Sequence, residues 1–401
     1  MTDQTLSLRL DQLLSESLDS ARARQANTLD SLIGSLEQPF ALFGASHLGR
    51  KALQVLKQLG HVPGAFIDNN SAAWGSEIDG VPVMSPAQLA EREQGQLPAI
   101  ICTIWSGHIK DRMSQRLQPL RELGFKRIAL FGHLAWCYPQ HFLPHYALDL
   151  PEKVLQQADA VRRAFSLIED AVSQQLFVDH VQWRLDLNHD LLPPASSKEI
   201  YFDAHFSSAS ADEVVYDIGA YNGDSVADYL RLGRAFKEIH SFEPSPANYA
   251  ELQANLTQLS SEHSAALFAH PQAVGDSVGS VLIEDDGGAS NRVGRGTQQV
   301  QSSTLDELSK QIAPATFLKI DIEGFEPQCL AGGRQLIATH RPVIAVCVYH
   351  EQDHLWSILL QLHEYYPGYR FELCPHLAEG WDLVLYAVPA ERLPTHLQQG
   401  A

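Results

Sequence analysis

The sequence predicts an α/β protein in which two Rossmann-like domains follow each other, with further helices before and between them. Two observations support this fold class. Apolar, strand-like segments alternate with helix-like segments from residue 38 to 135 and again from 206 to 395, and such alternation is typical of parallel sheets. In each half the first strand ends in a glycine turn and the second strand ends in an acidic residue, Asp68 or Glu243. A glycine turn paired with a carboxylate is how a Rossmann-type unit holds a nucleoside.

Composition limits the possible partners. The chain has 401 residues, 45% of them hydrophobic, which is enough for two cores, and a formal net charge of −19. This charge argues against binding to nucleic acid or to an anionic membrane surface. The sequence shows neither a signal-peptide pattern nor an apolar run of about 20 residues, so we expect a cytoplasmic protein without a membrane span. The five cysteines form no C-x-x-C pair, which indicates buried thiols and not a zinc site.

Residues 1–36 carry leucines at largely helical spacing between polar residues. This pattern predicts one or two amphipathic helices. We expect their apolar faces to pack on the body of the protein or on a second subunit, in which case the protein is a homodimer.

Residues 37–135 form the first predicted domain. A strand over 39–43 leads into a G-x-S-x-x-G turn in which Ser46 stands at the middle glycine of the dinucleotide-binding motif, between Gly44 and Gly49. Asp68 follows Gly49 by 19 residues, close to the spacing that binds ribose. The segment resembles small Rossmann-like modules of sugar-modifying enzymes. Two interpretations remain open: a nucleotide site built from Gly44, Ser46, Gly49 and Asp68, or a structural or recognition domain.

Residues 136–205 are rich in proline and helix-like segments, and they predict a mainly helical connector. The second domain covers 206–395 and opens with a strand that ends in a D-x-G turn. The absence of a full G-x-G-x-x-G motif favours a cofactor without pyrophosphate, and S-adenosylmethionine is such a cofactor. We predict cofactor binding by nine residues: Asp217, Gly219, Ala220, Tyr221, Gly223, Asp224, Glu243, Pro244 and Asp276.

These residue types suit different parts of the cofactor. Gly219 and Gly223 would let the backbone approach a ligand closely, and Glu243 can accept two hydrogen bonds from ribose hydroxyls. Asp217 either caps the turn or meets the cofactor's amino group. Asp276 follows a segment, 268–275, that we expect to form the third strand; it either contacts the adenine or opens the next hairpin.

Charged residues also follow two later strands. Alternation along a strand places Lys319, Asp321 and Glu323 on one side, at the edge where open α/β sheets bind ligands. His350 ends the next buried strand and, like Asp321, is a candidate general base, with Lys319 and Glu323 positioning the acceptor. Alternatively, Asp321 and Glu323 hold Mg²⁺. The glycine-rich segment 285–292 predicts a loop over the acceptor site, or a plain surface hairpin.

Several of these motifs, in this order, resemble the FkbM family of S-adenosylmethionine-dependent methyltransferases. They are Asp217 to Asp224, Phe242-Glu243-Pro244, Thr304-Leu305-Asp306, Leu318 to Gly324, and Tyr349-His350. The resemblance covers about residues 206–390 and implies a class I methyltransferase fold with seven strands. It also implies methyl transfer to a hydroxyl, commonly on a sugar or a polyketide. Tyr221 departs from the family, in which many members carry Asn at this position.

Two hypotheses of function follow. The first is an O-methyltransferase whose acceptor is a sugar, a nucleotide sugar, a glycan precursor or a related small polar metabolite. The second is a non-catalytic protein in which both Rossmann-like modules bind ligands or partners in a glycan-assembly complex. The second hypothesis does not explain why Lys319, Asp321, Glu323 and His350 would meet at one sheet edge.

Overall fold

A computed structural model of the chain describes residues 3–93, 95–105, 112–263, 265–284, 292–294 and 296–394. The predicted loop at 285–292 therefore lies outside the described residues, apart from Arg292, whose backbone begins a short strand. The helices are α1 (Asp3–Leu14), α2 (Leu18–Ile33), α3 (His47–Gln58), α4 (Pro86–Arg92), α5 (Met113–Glu122), α6 (Phe131–Cys137), α7 (Pro139–Phe142), α8 (Pro151–Gln156), α9 (Ala158–Phe165), α10 (Ala171–Asp186), α11 (Asp224–Arg231), α12 (Pro246–His263), α13 (Leu305–Gln311), α14 (Glu326–Ala331), α15 (Arg334–His340) and α16 (His354–Tyr365).

The strands are β1 (Phe40–Phe43), β2 (Ala65–Ile67), β3 (Glu77–Ile78), β4 (Val81–Met84), β5 (Ala99–Cys102), β6 (Ile128–Leu130), β7 (Val214–Ile218), β8 (Glu238–Phe242), β9 (Leu267–His270), β10 (Ala273–Val274), β11 (Gly279–Glu284), β12 (Arg292–Val293), β13 (Gln298–Ser303), β14 (Phe317–Ile320), β15 (Val343–Cys347), β16 (Tyr369–Pro375) and β17 (Leu383–Pro389). Within the described residues these strands form three sheets.

The first sheet has six strands in the order β3-β4-β2-β1-β5-β6. All neighbours are parallel except β3 and β4, which form an antiparallel pair. Its central strands β1 and β5 are buried at every residue, because helices cover both faces of the sheet and leave no solvated side. The chain thus places an α/β unit before the part that resembles a methyltransferase.

The large sheet has seven strands in the order β16-β17-β15-β14-β7-β8-β9. Its strands are parallel except β17, which runs antiparallel to both of its neighbours. The prediction of an α/β protein with a seven-stranded, mostly parallel sheet is therefore confirmed. Strand order reverses between β7 and β14, and open α/β sheets bind ligands outside the carboxyl ends of the strands at such a point.

A smaller sheet, in the order β10-β13-β11-β12, lies beside the large one. The expected third strand over 268–275 is wrong in its extent, since β9 ends at His270 and the next residues belong to this small sheet. Pro271 explains the break, because proline has no N–H for a ladder and pushes the chain into a turn or a new strand.

The helices of residues 1–36 pack on the body of the protein. Leu6, Leu10 and Leu14 of α1, spaced one turn apart, are buried in the core that includes α10 and the large sheet. Leu29 and Ile33 of α2 enter the core of the first domain instead. Leu8 and Leu32 of the same helices remain exposed, and the homodimer stays a prediction. None of the helices described by the structure is long and apolar enough to span a membrane.

Candidate active site

A cavity of about 430 Å³ lies at the carboxyl edge of the large sheet, where β7 and β14 end. Six predicted site residues line it: Gly219, Tyr221, Asp224, Lys319, Asp321 and Glu323. Ten further residues line the cavity, and apart from Tyr349 none of them belongs to a motif that indicated a role: Trp105, Tyr146, Ile200, Tyr201, Ser225, Asp228, Tyr349, Leu377, Trp381 and Asp382. The cavity therefore draws on both α/β units and on the segment between them.

Asp217 and Lys319 form a buried ion pair under the glycine turn. The Lys319 Nζ lies 3.0 Å from Asp217 Oδ1 and donates a 2.6 Å hydrogen bond to the carbonyl oxygen of Gly219. The other oxygen of Asp217 accepts a 2.6 Å hydrogen bond from the hydroxyl of Ser225. Burial lowers the pKa of Lys319, but Asp217 and Asp321 outweigh burial and raise it above the usual range. Of the two roles predicted for Asp217, the structure supports a brace of the turn.

Gly219 is required by packing between two loops. A Cβ atom at this position would lie 1.8 Å from the carbonyl oxygen of Asp321, and the φ angle of 79° is in the left-handed region. The amides of Gly219 and the buried Ala220 both donate to the carbonyl of Phe242 at the end of β8. Gly223, which precedes α11, also has a positive φ and faces Leu252. Gly219 thus joins the ends of β7, β8 and β14, and it also lines the cavity. The close approach of a ligand to the two glycines stays a prediction.

Glu243 is buried directly behind the cavity wall. Its carboxylate accepts hydrogen bonds from the amides of Tyr221 at 3.0 Å and Ser245 at 2.9 Å. Burial raises the pKa of Glu243 and these hydrogen bonds lower it, with burial the larger effect. Glu243 does not itself line the cavity, and its contact with ribose hydroxyls stays a prediction. Pro244, which lies between Glu243 and Ser245 in the sequence, is half-buried.

Tyr221, Asp224 and Asp276 lie in different surroundings. Tyr221 adopts a φ of 47°, a conformation that Asn accepts more readily than Tyr. Asp224 begins α11 and lies on the cavity wall, where its carboxylate accepts from the amide of Ser225. Asp276 is exposed between β10 and β11 and does not line the cavity, which matches the hairpin alternative for this residue.

His350 is fully buried and faces carboxylates through both ring nitrogens. Its Nδ1 lies 2.8 Å from Glu326 Oε1, and its Nε2 lies 3.4 Å from Asp321 Oδ1 and 3.8 Å from Glu323 Oε1. Burial lowers the pKa of His350, but the three carboxylates outweigh burial and raise it to about 10. His350 itself does not line the cavity, and its role as a general base stays a prediction.

Asp321, unlike His350, is open to the cavity. It lines the cavity, and its Oδ2 accepts a 2.8 Å hydrogen bond from the hydroxyl of Tyr201. Tyr201 lies 120 residues away in sequence, and no motif around it indicated a role. Glu323 also lines the cavity, and the backbone turns at this residue with a positive φ of 56°. Lys319, Asp321 and Glu323 thus reach one cavity although β14 ends at Ile320.

Four aromatic side chains form a second wall of the cavity: Trp105, Tyr146, Tyr349 and Trp381. Trp381 contacts each of the others, with ring centroids 6.1 Å from Trp105, 5.0 Å from Tyr146 and 5.8 Å from Tyr349. The indole Nε1 of Trp105 is buried and has no hydrogen-bond partner among the described residues. Since Trp105 follows β5, the first domain contributes directly to the cavity of the second.

In the first domain, the carboxylate of Asp68 is already hydrogen-bonded to backbone amides at the glycine turn. Asp68 accepts hydrogen bonds from the amides of Ala45 at 2.7 Å and Asn70 at 2.8 Å, so its carboxylate braces the turn. A Cβ atom at Gly49 would lie 1.9 Å from the carbonyl oxygen of Gly44, and one at Gly44 would lie 2.7 Å from the side chain of Ile104. Ser46 caps α3 without a side-chain hydrogen bond. Nucleotide binding at this turn stays a prediction.

Comparisons with known proteins agree with this geometry. A family model for the methyltransferase FkbM domain matches residues 217–373. No curated protein matches the chain. Among solved structures, the chain is similar to the methyltransferase FkbM from Methylobacillus flagellatus KT, with a TM-score of 0.73 and 20% sequence identity over 92% of this chain and 98% of that one. At this identity the likeness concerns the fold, and it extends to both α/β units. A precorrin-6y C5,15-methyltransferase from Geobacter metallireducens GS-15 also matches, with 13% identity over 49% of this chain and 93% of that one, but its TM-score of 0.30 carries no argument.

Proposed function

We propose that this chain, in which residues 217–373 form a methyltransferase FkbM domain, is an S-adenosylmethionine-dependent O-methyltransferase acting on a sugar hydroxyl. The observation that carries the proposal is the position of the cavity, at the carboxyl edge of the sheet where strand order reverses. S-adenosylmethionine supplies a methyl group that is activated by a positively charged sulfur. The residues that would hold this cofactor are Gly219, Tyr221, Asp224 and Ser225 on the cavity wall, with Glu243 behind them.

The charge of the cavity fits this cofactor. Five lining residues carry carboxylates, against one buried lysine that is already paired with Asp217, and the five are Asp224, Asp228, Asp321, Glu323 and Asp382. An anionic wall favours the sulfonium and ammonium groups of the cofactor. The same charge disfavours an acceptor that carries phosphates, so among the predicted acceptors we favour a sugar without a nucleotide.

The aromatic wall supports a carbohydrate acceptor. Flat faces of Trp and Tyr pack on the C–H face of a sugar ring, while carboxylates accept hydrogen bonds from its hydroxyls. Trp105, Tyr146 and Trp381 supply the aromatic faces, and Asp321 and Asp382 lie on the same cavity.

Asp321 is the base in this proposal. Its carboxylate is open to the cavity and already accepts a hydrogen bond from Tyr201, so an acceptor hydroxyl can take over such a contact. Removal of the hydroxyl proton by a positioned carboxylate contributes about 10²- to 10⁴-fold to a rate. We therefore expect Asp321→Asn to lose turnover by a factor in this range and to keep its affinity for S-adenosylhomocysteine.

Calorimetry with S-adenosylhomocysteine tests the cofactor. We expect saturable binding to the full chain, weakened roughly 10- to 100-fold in Glu243→Gln, because hydrogen bonds to a charged group contribute about 1.5–3 kcal/mol. Glu238→Gln, at the other end of β8, is the matched control and should bind normally. A folded wild-type protein that does not bind S-adenosylhomocysteine refutes the proposal and favours a binding protein without catalysis.

A panel of free sugars, with release of S-adenosylhomocysteine as the readout, tests the acceptor. We expect Trp105→Ala to raise the acceptor KM roughly 2- to 10-fold, the equivalent of one aromatic contact, without changing the affinity for S-adenosylhomocysteine. Trp74→Ala removes a tryptophan from the same domain that does not line the cavity, and it should leave KM unchanged. Equal KM values in the two variants would exclude Trp105 from the acceptor site.

A further inference from the structure

The imidazole of His350 is held in one orientation by Glu326. Glu326 is fully buried, and its Oε1 accepts from His350 Nδ1 at 2.8 Å and from the amide of Ile322 at 2.9 Å. Because Nδ1 is committed to Glu326, the opposite nitrogen, Nε2, points at Asp321 and Glu323. A carboxylate that fixes an imidazole in this way is typical of histidines that ligate metals.

The distances on the Nε2 side are longer than hydrogen bonds. Nε2 lies 3.4 Å from Asp321 Oδ1 and 3.8 Å from Glu323 Oε1, and it makes no hydrogen bond within the described part of the chain. Protein N–H···O bonds measure about 2.7–3.2 Å. Two ligand atoms bound at about 2.1 Å to one ion lie roughly 3.0 Å apart at a right angle and roughly 3.4 Å apart at a tetrahedral angle. The observed spacing is thus closer to two ligands on one ion than to a direct pair.

We propose that His350 Nε2, Asp321 and Glu323 form a binding site for a divalent transition-metal cation, with Glu326 orienting the imidazole. The distances of 3.4 Å to Asp321 Oδ1 and 3.8 Å to Glu323 Oε1 place one oxygen of each carboxylate next to Nε2. Glu326 also brings a potential ligand atom within 4.8 Å of those of Asp321 and His350, but its Oε1 is taken up by Nδ1. Two carboxylates with one imidazole suit Mn²⁺, Fe²⁺ or Zn²⁺ better than Mg²⁺, which prefers oxygen ligands alone. Asp321 and Glu323 alone would suit Mg²⁺, and the addition of the His350 imidazole changes the preferred ion.

The proposed metal site lies at the cavity, where a bound ion would reach the acceptor. Asp321 and Glu323 both line the cavity of about 430 Å³, so open coordination positions would face the acceptor. A divalent ion there lowers the pKa of a bound hydroxyl, which eases the loss of its proton. This consequence rests on the proposed methyl transfer, whereas binding of the ion does not.

Electron paramagnetic resonance with Mn²⁺ tests the site on the chelator-treated, full-length protein. We expect saturable binding of one Mn²⁺ per chain, with a ¹⁴N coupling in pulsed spectra that identifies the imidazole. Glu326→Gln should weaken Mn²⁺ binding about 10- to 100-fold, the usual cost of losing such an orienting group. Glu262→Gln, an exposed carboxylate on α12, is the control and should bind like the wild type.

The wild-type measurement decides the proposal even if the Glu326 variant does not fold. A folded protein that binds no Mn²⁺ saturably, or that binds it without ¹⁴N coupling, overturns the proposed ligand set. Calorimetry with S-adenosylhomocysteine on the same sample separates the two proposals. Cofactor binding without Mn²⁺ binding rejects only the metal site, whereas Mn²⁺ binding with ¹⁴N coupling but without cofactor binding rejects only the methyltransferase.

Discussion

Lys319→Met tests the most deeply buried ion pair at the site. The side chains of Lys319 and Asp217 are only 4% and 1% exposed and lie 3.0 Å apart. Methionine keeps the length of the lysine stem but removes its charge, so Asp217 would keep only the hydroxyl of Ser225 as a side-chain donor. Removing one partner of a buried pair costs about 3–5 kcal/mol of folding free energy, because the remaining charge stays buried without compensation.

Thermal and urea unfolding, followed by circular dichroism, measure this cost. For a domain of about 200 residues, 1 kcal/mol lowers Tm by about 2–4 °C, so we expect a decrease of roughly 6–20 °C in the transition of the second domain. Because nearby carboxylates raise the pKa of Lys319 above its usual range, the pair stays charged and the loss should be similar at pH 7 and pH 9.

Two controls make the result interpretable. Arg334→Met breaks a pair whose side chains are 64% and 65% exposed, and exposed pairs contribute about 0–1 kcal/mol. The double variant Lys319→Met with Asp217→Asn removes both charges and should recover most of the lost stability. If Lys319→Met costs no more than the exposed pair, or if the double variant is no more stable than the single one, the buried charges are not what stabilises this turn.

Two further predictions concern a glycine of the site, compared with a glycine elsewhere, and the pH dependence of two buried histidines. Gly219→Ala should abolish S-adenosylhomocysteine binding in calorimetry, because its Cβ would meet a carbonyl oxygen at 1.8 Å; Gly80→Ala, with φ of 80° and open space, should cost only about 1–2 kcal/mol and bind normally. Burial lowers the pKa of His180 to about 3 and of His376 to about 4, so the unfolded chain takes up protons first as pH falls below about 6.5. Protonation of each histidine in the unfolded chain should therefore lower the free energy of unfolding by about 2 kcal/mol between pH 7 and pH 5. In urea unfolding, His376→Gln should show a pH-dependent loss that is smaller by about this amount than that of the wild type.

Local patterns were sufficient to predict the sheet and its ligand edge. The strands of the large sheet are short apolar runs. Asp217 lies near the end of β7, and Glu243 and Asp321 directly follow β8 and β14, so all three reach the carboxyl edge. Parallel strands bring such ends together whatever the loops between them do, which is why motifs far apart in sequence converge here. The prediction of the third strand was wrong in its extent because it relied on apolar content alone and continued the strand through Pro271.

Partners across the fold could not be predicted in the same way. Alternation along β14 places Lys319 at the edge, but it does not say that Asp217 on the neighbouring strand is close enough to pair with it. The contact of His350 with Glu326 could not be predicted either, since Glu326 lies in the preceding helix α14 and no spacing in the sequence relates the two residues.

Trp105 and Tyr201 show where sequence motifs stop being informative. Both line the cavity, yet one follows a strand of the first domain and the other lies in the segment that precedes β7. Neither belongs to a spacing that indicates chemistry, because their contribution depends on how two α/β units pack together. If Trp105 contacts the acceptor, specificity depends on residues outside 217–373, and chains that share the methyltransferase motifs can differ in acceptor. The choice of acceptor is then a property of the domain packing, while the proposed methyl transfer depends on the geometry of one sheet edge.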